Sequence, residues 1–122
     1  MITHQTVDTV WIITATSRIS WKDFDSVEPK MARILSSSEP LRLVVDYQTA
    51  EGFTFTGFVR EFVALARLFK YRKARGRCGV LTAENFTDGV LHLEDKFQPN
   101  LETKFFKPSE REAAITWARA IE

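Results

Sequence analysis

The chain has 122 residues, a net charge of +1 and one cysteine, Cys78. That length suits one domain with a core of its own, and the near-neutral balance argues against a general nucleic-acid binder. A lone cysteine excludes an internal disulfide and fits a reducing compartment, no apolar run approaches the length of a membrane span, and Met1 to Thr9 lacks a signal-peptide pattern, so a cytoplasmic protein is the expectation.

Taken in order, the first element is Val10-Trp11-Ile12-Ile13, a short apolar run between threonines that reads as a strand. Residues before Asp8 supply a strand to pair with it as a hairpin. Ser20 then stands as an N-cap three residues ahead of Asp23, and Phe24, Val27, Met31, Ile34 and Leu35 follow at helical spacing. Pro29 falls inside that pattern, where its missing N–H either kinks the helix or delays its regular start. Ser36 to Pro40 ends it.

Leu41-Arg42-Leu43-Val44-Val45 is almost continuously apolar, the mark of a strand covered on both faces. Asp46 and Tyr47 stand at its end, and Gln48 to Thr56 reads as a loop. Phe58, Val59, Phe62, Val63, Leu65, Ala66 and Phe69 mark a helix from Gly57 to Arg72. Gly79-Val80-Leu81 is a further buried-type strand, Glu84 to Phe97 a helix weakened by Gly89, and Thr103 to Lys107 a last strand. Ser109 with Glu112 three residues on gives a capping box for the final helix, whose apolar side draws on Ala113, Ile115, Trp117, Ala118 and Ile121. Alternating elements of this kind predict an α/β fold, with a mixed sheet of about five strands and about four helices linked by right-handed crossovers.

Three local patterns, in this order and over nearly the whole chain, resemble the SpoIIAA-like branch of the STAS fold. They are Ile19-Ser20-Trp21-Lys22-Asp23-Phe24 leading into a helix with Pro29, Leu41 to Asp46 followed by a loop with phenylalanine and glycine, and Lys104-Phe105-Phe106 followed by Glu112 to Trp117. The resemblance implies one STAS domain over residues 1–122 that binds rather than catalyses. It also implies a regulatory protein partner as the second reading, since anti-sigma-factor antagonists of this fold are switched by phosphate on a serine in an Asp-Ser-Ser-Gly-type loop. The corresponding stretch here is Thr54-Phe55-Thr56-Gly57, so the acceptor position carries Phe55 and the nearest hydroxyl is Thr56.

The residues themselves offer little chemistry of catalysis. His4 and His92 stand far apart and Cys78 has no histidine or cysteine nearby, so no zinc spacing exists and no metal or cofactor is expected. Arg75 and Arg77 precede Cys78 and cations lower a thiol's pKa, but a buried core cysteine is the simpler reading. Asp46 follows a buried strand, where open α/β sheets place ligands; its plain alternative is to close a turn. Tyr47, Thr56 and Thr82 join it as candidate ligand contacts, together with Phe53, Phe55, Phe58 and Phe62.

Arg67, Lys70, Arg72, Lys73, Arg75 and Arg77 gather six of the 17 basic residues into a stretch with no acid. One or two cations would satisfy a helix C-terminus, and six suit an anionic membrane surface beside the aromatics. The expectation is therefore a module for an apolar or amphipathic ligand, or for peripheral membrane contact, near residues 53–77. Nucleic acid finds no motif here, and a homodimer would cover exposed aromatics.

Overall fold

The structure is a computed structural model, and it describes residues 1–18, 21–51, 75–82 and 101–121. Strand β1 (Ile2–Val7) turns back into β2 (Val10–Arg18) through Asp8 and Thr9, whose φ angles are 50° and 69°. Two successive residues with positive φ form the type I′ turn whose twist matches paired strands. The expected hairpin therefore forms, and β2 runs well beyond Ile13.

A 3-10 turn over Trp21–Ser26 precedes helix α1 (Glu28–Ser36). Pro29 lies in the first turn of α1, where no N–H is required. Of the two effects open to Pro29, the delayed start is the one that occurs. At the other end Ser37 donates both its N–H (3.1 Å) and its hydroxyl (2.9 Å) to the carbonyl of Ile34.

Strand β3 (Leu41–Glu51) has 11 residues and is longer than the apolar run that predicts it. Among the described residues its second half, polar in sequence, is held by β2 alone, through pairs such as Ser17 with Ala50 beyond an irregularity after Ala15. Asp46 is therefore mid-strand, and residues 48–51 extend the strand where a loop was expected. Strands β4 (Gly76–Leu81) and β5 (Leu101–Phe106) complete the sheet in the order β1-β2-β3-β4-β5, with β1 antiparallel and the rest parallel.

Helix α2 (Arg111–Arg119) opens through a 3-10 turn, Pro108–Glu110. The carboxylate that turns back is Glu110, which accepts the Lys107 N–H at 2.8 Å. The capping pair expected at Ser109 and Glu112 is thus displaced, because Pro108 starts the coil one step earlier and puts Ser109 inside it. The helices expected over 57–72 and 84–97 lie outside the described residues.

Side chains alternate along strands, so β2 to β5 each feed two cores. One face carries Trp11, Ile13, Leu43, Val45, Tyr47, Cys78 and Val80 and is covered by Phe24, Val27 and Met31. The other carries Val10, Ile12, Val44, Leu81 and Phe106 and is covered by Ala114, Ile115 and Ala118 of α2. Ala114 is buried and Ala113 exposed, the reverse of the sequence expectation. Each fully buried aliphatic side chain, such as Ile12 or Val44, contributes about 1.5–3 kcal/mol of transfer free energy. Gly79 lets α2 approach, since a Cβ there would lie 3.3 Å from Phe106 and 3.5 Å from Ala114.

Candidate functional site

Asp46 and Tyr47 are neighbours in β3 and so project to opposite faces of the sheet. Tyr47 belongs to the core beneath α1, at 6% exposure. Asp46, at 7%, lies on the α2 side. Its Oδ2 accepts from Arg111 Nη1 at 2.9 Å and from Gln48 Nε2 at 3.3 Å. A carboxylate taken from water must be paired and hydrogen-bonded, and this one is both. Thr82 follows the last residue of β4, is buried, and donates its N–H to the Phe106 carbonyl at 3.0 Å. The structure thus puts Asp46 and Thr82 near the same strand ends and sends Tyr47 to the other face. Phe53, Phe55, Thr56, Phe58 and Phe62 lie outside the described residues.

Of the basic run, Arg75 and Arg77 are described, and Arg67, Lys70, Arg72 and Lys73 are not. The Arg75 guanidinium meets the Glu102 carboxylate in an exposed ion pair. Arg77 projects under α2, donates Nη1 to the Trp117 carbonyl at 2.8 Å and sits 5.0 Å from the centre of the Trp117 ring. Its buried Nε makes no hydrogen bond among the described residues and is balanced by Glu102 Oε2 at 3.5 Å. Arg42 repeats the arrangement, donating Nε to the Arg119 carbonyl at 3.3 Å and Nη2 to the Ile121 carbonyl at 3.1 Å. Two guanidinium groups thereby take up carbonyls at the end of α2 that lack intrahelical partners, where the helix dipole also favours positive charge.

Sequence reasoning missed Arg42, Glu102, Arg111 and Gln48. Arg42 did leave a signal: a guanidinium in the middle of an apolar strand needs acceptors that the strand does not supply. Arg111 left none, because nothing local shows which helical residue will lie over β3. Cys78 is buried at 5%, as the simpler reading had it. Among the described residues no cluster of three or more His, Cys, Asp or Glu side chains could hold a metal, and no helix is long and apolar enough to cross a membrane.

Segment 52–74 joins two distant points of this sheet. It leaves from Glu51, the end of β3, and returns at Arg75, just before Gly76, which pairs with Leu41 at the start of β3. At about 3.3 Å per strand residue those anchors stand roughly 30 Å apart. The two described anchors of the segment therefore lie at opposite ends of the strands rather than side by side.

A profile of the SpoIIAA-like family matches residues 10–119. A search of curated proteins gave no match. A crystal structure of an uncharacterized protein with a SpoIIAA-like fold from Shewanella loihica PV-4 is similar, with a TM-score of 0.63 at 15% identity, covering 97% of this chain and 92% of that one. At that identity the likeness shows the fold alone. The family match spans every described strand from β2 onward and both helices, and the chain belongs to the SpoIIAA-like family.

Proposed function

We propose that this protein is a non-catalytic binding module whose contact face is the stretch from Phe53 to Lys73, and that it meets an extended anionic amphiphilic surface rather than a single small ligand. The observation that carries this reading is the separation of the segment's anchors. In sequence, aromatic residues follow one end of β3 and cations precede the strand that pairs with its other end, and roughly 30 Å is more than a metabolite spans and small beside a membrane surface. Phenylalanine insertion and electrostatic attraction add on such a surface, at about 1 kcal/mol per basic residue. The pairing of Asp46 with Arg111 and Gln48 supports the non-catalytic part, since it ties up the most enzyme-like carboxylate of the chain.

Co-sedimentation with vesicles tests it. Vesicles of anionic phospholipid should carry the protein down and neutral ones should not, with binding falling as salt rises. Replacing Arg67, Lys70, Arg72 and Lys73 together by glutamine should abolish the anionic preference. Absence of binding to both vesicle types removes the proposal.

Family membership supports a second reading, a regulatory module with a protein partner. Thr56 is its candidate phosphoacceptor. Mass spectrometry of the protein purified from its native cells checks it, and a Thr56 found only unmodified leaves that switch without support.

A further inference from the structure

The geometry points to a second anion site, on the flank of α1 beside the hairpin, where Lys30 and Arg33 hold an oxyanion of phosphate type in an open cleft of about 340 Å³ completed by Ile34, Ser37 and Glu39. The residues that build it are set by helical spacing. Positions 30, 33, 34 and 37 follow as i, i+3, i+4 and i+7, which brings them onto one stripe. Ile34 roots that stripe in the core beneath it.

Two cations side by side on one helical stripe repel each other. Evolution of a stable surface would normally interleave a carboxylate, yet among the described residues neither Lys30 nor Arg33 forms an ion pair. Lys30 is also held in place. Its Nζ donates to Thr6 Oγ1 at 2.6 Å and lies 5.1 Å from the centre of the Trp11 ring. An ammonium has three N–H groups, so others remain for a ligand after Thr6 is served. Partial burial and the neighbouring Arg33 push the Lys30 pKa below its usual value, the condition an incoming anion relieves. Arg33 is exposed and presents the planar fork that suits oxyanions. Glu39 on the rim opposes the bound charge and keeps the site weak.

The site is separate from the contact face proposed above, and its phosphate titration does not depend on that face. Backbone amide shifts of residues 30–39 are followed as inorganic phosphate is added, against sodium chloride at matched low ionic strength. Saturable shifts with phosphate, weakened about fivefold by Arg33→Gln, the upper range of one exposed ion pair, support the site, as does tighter binding in Glu39→Gln. Shifts that are the same with both salts, or unchanged in Arg33→Gln, overturn it. A parallel arm with anionic vesicles identifies the source: loss of vesicle binding in Arg33→Gln assigns the site to a lipid headgroup, and phosphate binding without an effect of Arg33→Gln on vesicles assigns it to a soluble phosphate compound. Arg33 is exposed, so its replacement leaves the fold intact, and an unchanged thermal unfolding curve checks that.

Discussion

The guanidinium of Arg111, the first residue of α2, closes on the carboxylate of Asp46 in the middle of β3 at 2.9 Å, across 65 residues of sequence. This contact fixes where α2 begins over the sheet. Removing Arg111 leaves a buried carboxylate with Gln48 as its remaining donor among the described residues, so Arg111→Met should cost about 2–3 kcal/mol, tempered by the partial exposure of the guanidinium. Asp46→Asn, which keeps an acceptor, should cost about 1 kcal/mol. The double variant Asp46→Leu with Arg111→Met should recover part of the loss, because an apolar pair needs no desolvation of charge. Urea unfolding of the wild type, Asp46→Leu, Arg111→Met and their double variant checks the cycle, and strict additivity would show that the two groups do not act together.

The hairpin between β1 and β2 contains a strained residue. Thr9 is β-branched and adopts a φ of 69°, a conformation that costs an L-residue about 1–2 kcal/mol. Glycine removes that strain and returns part of the gain through the greater freedom of the unfolded chain. Thr9→Gly should stabilise the protein by roughly 0.5–1 kcal/mol, seen as a rise in Tm of a few degrees.

Gly79 sets the distance between α2 and the sheet. Alanine there needs a displacement of a few tenths of an ångström at Phe106, whose Cε2 would be 3.3 Å away. Valine needs more. Gly79→Val should cost about 2 kcal/mol through overpacking, and tryptophan fluorescence should report a changed environment for Trp117, whose ring lies 6.0 Å from that of Phe106.

Lys30 gives a pH dependence with a definite sign. Its folded pKa lies below the usual 10.5, first through burial and then through Arg33. The folded state therefore holds this proton less firmly than the unfolded state does. The penalty is fully present at neutral pH and is relieved as pH rises through the folded value towards the unfolded one. An NMR titration of the Lys30 side chain should show a midpoint below that of an ordinary lysine, and Arg33→Gln should raise it part of the way.

The sequence was most informative where burial leaves a mark on both faces of a strand. Leu41 to Val45 reads as a covered strand because both faces are, and Val10 to Ile13 likewise. It was least informative where pairing alone extends a strand. Nothing in Gln48-Thr49-Ala50-Glu51 announces β structure, and those residues are strand because β2 continues beside them. The Pro29 pattern narrowed the start of α1 to two outcomes, and the first-turn position decided between them. The site was harder to read for a geometric reason. Asp46 and Tyr47 are adjacent in sequence, and the two-residue period of a strand sends them to different cores. Arg75 and Arg77 looked like part of one charged run, whereas one sits in an exposed pair with Glu102 and the other lies under α2. Arg75 precedes β4 and Arg77 lies inside it, a boundary that the charge count alone could not disclose.

The sheet order β1-β2-β3-β4-β5 follows the chain without a break. Each strand joins the free edge left by its predecessor, and none has to be inserted between two already placed. A ribosome delivers the hairpin before the other strands of this sheet, a local structure that closes within microseconds once exposed. Every later strand then finds its template waiting. An architecture dominated by slow parallel pairings can in this way be laid down progressively during synthesis, with a single unpaired growing edge at each stage.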